Sequence, residues 1–211
     1  LAASLAALTR SLSTVVACSS RILEPILGRT TDELADAIGQ GEILEIGCGS
    51  GIYLLRALAG RPGLRAVGVE MEPEVAREAR EAVERAGVAD RAEVVQADVR
   101  DLDFPSRFDC ITMHNNIYYF PEAGRLAFLR GLRAWLKPGG KLVVSTICPG
   151  PGVFARFMNL WSVTTEGAGA LPDPQGFTAL LGEAGYDRPR AERPMPLESF
   201  YVFTAVHGRS G

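Results

Sequence analysis

Three glycines at alternate positions, Gly47, Gly49 and Gly51, stand between the apolar run Ile43-Leu44 and the helical pattern Ile52-Tyr53-Leu54-Leu55-Arg56-Ala57-Leu58. Few patterns restrict a fold more. They call for a short buried strand, a tight turn whose backbone visits positive φ, and a helix that opens immediately afterwards. This is the first unit of a nucleotide-binding α/β sheet. The carboxylate of Glu45, at the end of the strand, is a second constraint. A pyrophosphate seated on a helix N-terminus is held by backbone N–H groups and is repelled by an anion beside it. A dinucleotide fingerprint also needs Gly-x-Gly-x-x-Gly, and Ile52 stands where its third glycine belongs. A sulfonium or ammonium group, by contrast, is stabilised by a carboxylate. Alone, the motif also suits an ordinary strand-to-helix turn, so the spacings downstream decide.

Those spacings repeat the alternation of strand and helix. The turn Arg61-Pro62-Gly63 leads into a buried strand over Arg65–Glu70, and Pro73 opens a helix with the stripe Val75, Ala76, Ala79, Ala82, Val83 and Ala86, ended by Gly87. Strands over Ala92–Gln96 and Phe108–Met113, a helix over Pro121–Leu136, a turn at Lys137-Pro138-Gly139-Gly140 and a strand over Lys141–Ile147 follow. Such alternation predicts a parallel sheet covered on both faces. An irregular section from Pro149 to Pro174 reads as a lid, then a helix over Gln175–Glu183, then two runs, Arg188–Pro194 and Ser199–His207, that suit an antiparallel hairpin at the sheet edge. At the start, Leu1, Leu5, Leu8, Leu12 and Val15 keep helical spacing, and Thr30-Thr31-Asp32-Glu33 reads as a capping box opening a short helix that ends at Gly39. The expected organisation is one domain over 1–211, with a helical cap over 1–40 and a lid over 148–174.

An acidic residue followed by Gly-x-Gly-x-Gly, matched by Glu45, Gly47, Gly49 and Gly51, resembles the first motif of the class I S-adenosylmethionine-dependent methyltransferases of small-molecule type. The resemblance covers most of residues 40–207. It implies an α/β, Rossmann-like, doubly wound and mostly parallel seven-stranded sheet with a C-terminal antiparallel hairpin. It also implies S-adenosyl-L-methionine as cofactor, with S-adenosyl-L-homocysteine as product. Glu45, Gly47, Cys48, Gly49 and Gly51 then belong to the methionine end, with Cys48 lending its backbone. Glu70 lies about twenty residues beyond the glycine loop, the distance at which a carboxylate accepts from ribose hydroxyls; its alternative is a solvated glutamate opening the next helix. Met71 would pack on the adenine face. Asp98 would accept from the adenine amino group and Val99 would offer its N–H, although an aspartate here also suits a turn cap, and Asp101 and Asp103 compete.

The acceptor side is expected at the end of the fourth strand, Met113-His114-Asn115-Asn116-Ile117-Tyr118-Tyr119-Phe120-Pro121. His114 is either a catalytic general base or only a contact to the cofactor. Tyr118 bounds the substrate pocket or packs. Phe154, Phe157, Met158 and Trp161 share one helical face that either roofs an apolar pocket or packs on the core. Glu166 is an outlying acid or base, and His207 is read as structural. Asn115-Asn116 does not match the Asn-Pro-Pro-Tyr motif of many amide and nucleobase N-methyltransferases.

With 211 residues, 47% of them hydrophobic, the chain can bury a substantial core. A net charge of -3 and no dense Lys/Arg run disfavour a nucleic-acid substrate. No run approaches the ~18 apolar residues of a membrane span. Cys18, Cys48, Cys110 and Cys148 are widely spaced, read as reduced thiols of a cytoplasmic protein, and form no metal site. The expected partner is a small, partly apolar molecule, and the chain is expected to be a monomer or homodimer. Methylation of RNA or protein, non-methyl transfer on the same scaffold, and a non-catalytic regulatory subunit are the rival readings.

Overall fold

The computed structural model describes residues 27–164, 168–195 and 198–208. The N-terminal stripe from Leu1 to Val15, Cys18 and Glu166 lie outside the described residues. Helix α1 covers 27–38, followed by β1 (Gly41–Ile46), α2 (Ile52–Leu58), β2 (Leu64–Glu70), α3 (Pro73–Arg85) and β3 (Ala92–Gln96). Then come β4 (Phe108–His114), α4 (Glu122–Trp135), β5 (Leu136–Ile147), α5 (Val153–Thr164), α6 (Pro174–Glu183), β6 (Asp187–Glu192) and β7 (Phe200–Val206). Short 3-10 turns over Val99–Asp101 and Ile117–Tyr119 follow β3 and β4.

The seven strands form one sheet in the order β3-β2-β1-β4-β5-β7-β6. β1 pairs in parallel with β2 on one side and with β4 on the other. The chain order therefore reverses between β1 and β4, and ligands of open α/β sheets bind at the carboxyl ends of strands beside such a switch. β7 runs antiparallel between β5 and β6, so the predicted hairpin is present, with its first strand at the outer edge.

Strand residues alternate between the two faces. Leu44, Ile46, Val67, Val69, Ile111, Met113, Leu142 and Val144 pack with Leu129 and Leu132 of α4 and Phe177 and Leu181 of α6. Ile43, Ala66, Cys110 and Val143 pack on the opposite face with Leu27 and Ala35 of α1, Tyr53 and Leu54 of α2, and Ala76 and Ala79 of α3. Both faces are covered, which is why the central strands read as nearly continuous apolar runs.

Three local expectations are corrected. The stretch Thr30 to Glu33 does not open a helix: α1 already runs at residue 27, Thr31 Oγ1 donates to the Leu27 carbonyl at 2.8 Å, and Glu33 pairs with Arg29 at 3.0 Å. Lys137-Pro138-Gly139-Gly140 is not a separate turn but the irregular start of β5, where the pairing shifts register between Phe108 and Cys110 and Gly139 takes φ 85°. The section after β5 is not wholly irregular, because α5 occupies Val153–Thr164. Among the described residues no helix is long and apolar enough to cross a membrane.

Phe203 is fully buried on β7, edge-on to Phe177 at 4.9 Å between ring centroids. Phe203→Ala is expected to cost about 3–5 kcal/mol, the loss of a buried aromatic plus its cavity. Urea denaturation checks this, and a loss below about 1 kcal/mol would mean that the site collapses freely.

Candidate functional site

The glycine loop adopts the backbone its sequence demands. Gly47, Gly49 and Gly51 have φ of 63°, 55° and 77°, the left-handed region that side-chain-bearing residues rarely occupy. The turn is fixed to the neighbouring strand: Cys48 N–H donates to the Val69 carbonyl at 3.0 Å and Gly49 N–H to Glu70 Oε2 at 3.0 Å. A Cβ on Gly47 would fall 2.5 Å from the Asn116 amide nitrogen, whereas one on Gly49 would meet nothing within 4 Å. The loop is thus packed underneath and open above, a cradle that a ligand can approach at backbone distance.

Glu45 lies beneath that cradle and not on its rim. It is the penultimate residue of β1, paired across the sheet with Thr112, and only 2% exposed. A small cavity joins it to Thr31, Leu34, Tyr53, Thr112 and His114. Burial pushes its carboxyl up to about 8, opposed by a hydrogen bond from the Leu54 backbone and reinforced by the charge of Glu70. Near neutrality the free protein therefore holds this carboxyl largely protonated, and a cation arriving above it favours the ionised form.

The other two strand-end acids stand at the rim itself. Glu70 Oε1 accepts from Glu72 N–H at 3.0 Å while Oε2 holds Gly49, so one carboxylate ties loop, strand and helix start together. Met71 beside it is 52% exposed, available to a flat ring. Asp98 caps the 3-10 turn, accepting from Arg100 N–H at 2.9 Å and from the Arg100 guanidinium, which holds its carboxyl below the usual range. The turn-cap role weighed against an adenine contact is the one it plays here. Val99 is buried in the core behind it.

At the end of β4 the chain places His114 against Tyr53, with ring centroids 4.8 Å apart, and 2.7 Å from Ser145 Oγ through Nδ1. Its Nε2 is buried without a partner among the described residues. Burial pulls the imidazole down to about 4, so it is neutral at physiological pH. Asn116 donates Nδ2 to the Ile46 carbonyl, and its Oδ1 is a second buried acceptor without a partner among the described residues. Tyr118 and Tyr119 set their rings edge-on to Trp161 of α5, at 5.7 and 5.6 Å. Tyr119 is pushed up to about 12 by burial and by Glu70, so its hydroxyl stays protonated.

The structure brings Tyr118 and Trp161 together but leaves Phe157 53% exposed; the Phe154 side chain lies outside the described residues. Sequence reading missed Tyr53, Ser145, Asn116 and Arg125. Arg125 is 3% exposed and donates to the Phe120 carbonyl at 2.9 Å and the Ala170 carbonyl at 2.5 Å, while Gly169 N–H donates to the Tyr118 carbonyl at 2.6 Å. This staple ties the chain after α5 to the tyrosine turn. Among these, Asn116 and Tyr53 lie inside segments that the sequence singles out, but their contacts, like Ser145 and Arg125, need strand register or tertiary packing to be found.

The orphaned buried polar atoms, the open face of Gly49 and the three strand-end acids suit a ligand with a cationic centre and a ribose. The Glu45 carboxyl binds its proton more tightly in the folded chain than in the unfolded one. Its contribution to stability therefore falls as pH rises from about 4.5 to about 8. Glu45→Gln is expected to be favoured over wild type by on the order of 3–5 kcal/mol at the high end of that window, and by little at its low end. Urea denaturation of both proteins at the two ends checks this, and a pH-independent difference would refute it.

Residues 43–140 match the family model described as a methyltransferase domain. The cypemycin N-terminal methyltransferase of a Streptomyces species is 34% identical over 116 residues, 54% of this chain and 44% of that protein. The erythromycin 3''-O-methyltransferase of Saccharopolyspora erythraea is 34% identical over 132 residues, 60% of this chain and 42% of that protein. The chain thus spans about half the length of the curated relatives it matches. Among solved structures, the S-adenosylmethionine-dependent methyltransferase SibL superposes with a TM-score of 0.77 at 20% identity, covering 92% of this chain and 57% of that one. The strand order, the glycine loop and these matches agree: residues 43–140 match a methyltransferase domain, and the chain is similar to S-adenosylmethionine-dependent methyltransferases in fold.

Proposed function

We propose that this chain binds S-adenosylmethionine across the carboxyl ends of β1, β2 and β3 and methylates an oxygen, nitrogen or carbon nucleophile of a small, partly apolar metabolite, in keeping with secondary metabolism. The observation that carries the reading is the joint geometry of Glu45, the open Gly49 and Glu70 around one turn. When bound, the cofactor supplies an electrophilic methyl on a sulfonium. The chain's own residues do the rest. Glu70 is placed to accept from ribose hydroxyls with lone pairs not used by Gly49 and Glu72, and Met71 covers the adenine. Glu45, freed of its proton as positive charge arrives, offsets that charge from below. His114 stands at the methyl-transfer end.

Tyr118, Tyr119 and Trp161 form an aromatic wall suited to an apolar acceptor. Rate acceleration would come mostly from holding acceptor and methyl group in line, which needs a rigid wall more than a strong base. The small-molecule preference is supported by the similarity to the erythromycin 3''-O-methyltransferase and by a net charge of -3, which lacks the basic excess that phosphate backbones require. Buried free thiols at Cys48, Cys110 and Cys148 suit a cytoplasmic setting.

Calorimetry with S-adenosylmethionine, S-adenosylhomocysteine and NAD tests the ligand. Binding of the first two is expected, and a preference for NAD would end this reading. Glu70→Ala should weaken S-adenosylhomocysteine by about 10–100-fold, the range for hydrogen bonds to a charged group. Transfer of labelled methyl groups into a metabolite extract then checks turnover.

A further inference from the structure

We infer that Ser145 fixes His114 as a hydrogen-bond donor: the serine hydroxyl donates to Nδ1, the ring proton sits on Nε2, and that N–H binds an oxygen carrying negative charge in the ligand site. The inference rests on the proposed function for the identity of the ligands, but not for the state of the ring.

The argument begins with register. His114 of β4 and Ser145 of β5 are paired positions on adjacent parallel strands, so their side chains leave the same face of the sheet side by side. Ser145 has no exposed surface, and its Oγ is 2.7 Å from His114 Nδ1. Among the described residues that nitrogen is the hydroxyl's one hydrogen-bond partner. The Ser145 carbonyl is itself engaged by Asn115 N–H at 2.8 Å. A neutral imidazole carries one proton, and burial keeps this ring neutral.

Two arrangements then compete. If Nδ1–H donates to the serine, the hydroxyl proton and the Nε2 lone pair are both left buried and unmet. If the hydroxyl donates to Nδ1, only Nε2–H is left. Unmet buried donors and acceptors are costly, so the second arrangement is favoured. What remains is a buried, preorganised N–H beside Glu45 and Tyr53 with no acceptor of its own among the described residues.

A ring in this state does not take a proton at Nε2, because that nitrogen already holds one. The acceptor substrate must bring its own lone pair, either as an amine or as an acidic hydroxyl such as a phenol or enol whose ionised oxygen Nε2–H stabilises. The donated hydrogen bond serves equally a carboxylate of the cofactor's methionine end, and the two sources are separable.

The test is long-range nitrogen–proton NMR of the histidine-labelled protein at neutral pH. The chain has 2 histidines, and His207 Nδ1 faces the Leu136 carbonyl at 2.9 Å, where only an N–H can bond. His207 therefore supplies the opposite pattern as an internal reference. His114 is expected to show a protonated Nε2 and a bare, hydrogen-bonded Nδ1; a protonated Nδ1 overturns the inference. Ser145→Ala should mix the two ring forms and Ser145→Thr should restore one, whereas a merely structural serine would leave the pattern unchanged in both. Addition of S-adenosylhomocysteine shifts the Nε2–H signal if the cofactor carboxylate is its partner. A shift that appears only when catechol is added as well assigns it to the acceptor oxygen. No shift in either case overturns the ligand half of the inference. In the arm that responds, Ser145→Ala should weaken binding about tenfold. If calorimetry shows that S-adenosylhomocysteine does not bind at all, the proposed function fails while the ring pattern still stands or falls by itself.

Discussion

The turn between β1 and α2 holds the rest of the site in place, and it is held by two bonds to one neighbouring strand. Cys48 N–H reaches the Val69 carbonyl and Gly49 N–H reaches the Glu70 carboxylate. Both acceptors end β2, so the loop cannot shift unless the β1–β2 register shifts with it, and every pair from Gly41–Leu64 to Ile46–Val69 opposes that. Such a slip would move each buried side chain to the wrong face. The left-handed glycines make the turn possible, and the ladder makes it rigid. Glu70 serves twice, shaping the loop with one oxygen and fastening the start of α3 with the other.

The site is also where the fold accepts unfavourable burial. Glu45, Thr112, His114 and Ser145 occupy one face of the sheet, under α1 and α2, where the surrounding positions are apolar. Glu45 is held toward its protonated form and His114 toward its neutral form, both by desolvation. A free carboxyl would be ionised near neutrality and this one is not, and desolvation leaves the imidazole unable to charge there. Polar groups kept short of partners inside a packed face destabilise the protein, a cost that folds accept where a site is built.

Much of this fold was legible because its signals are local. β3 falls at the expected Ala92–Gln96, and α3 follows from Pro73 and its alanine stripe, since a proline start and a helical period are written in consecutive residues. The failures come from the same reliance on local signals. Thr30 to Glu33 has the letters of a capping box, but a helix that has already begun turns Thr31 back onto Leu27. Lys137-Pro138-Gly139-Gly140 has the letters of a turn, but the ladder to Phe108 draws it into β5. The strand-end carboxylates Glu45 and Glu70 were found by counting residues. Ser145 was not, because its meaning depends on lying opposite His114, which is a fact of register.

The proposed acceptor pocket is less fixed by sequence for a related reason. Its wall is built from the 3-10 turn over Ile117–Tyr119 and from α5, two elements without ladder partners, joined by ring contacts of Trp161. Arg125 makes up for this from α4. Its guanidinium, nearly without exposed surface, bonds the Phe120 and Ala170 carbonyls at once, and Gly169 is small enough to let the two segments meet. Burial pulls the Arg125 pKa down, so the staple is retained against a desolvation cost. A bulkier residue at 169 would push that leg away from the tyrosines without touching the glycine loop. The segment after β5 can therefore vary while the glycine turn, locked by β1 and β2, stays as it is.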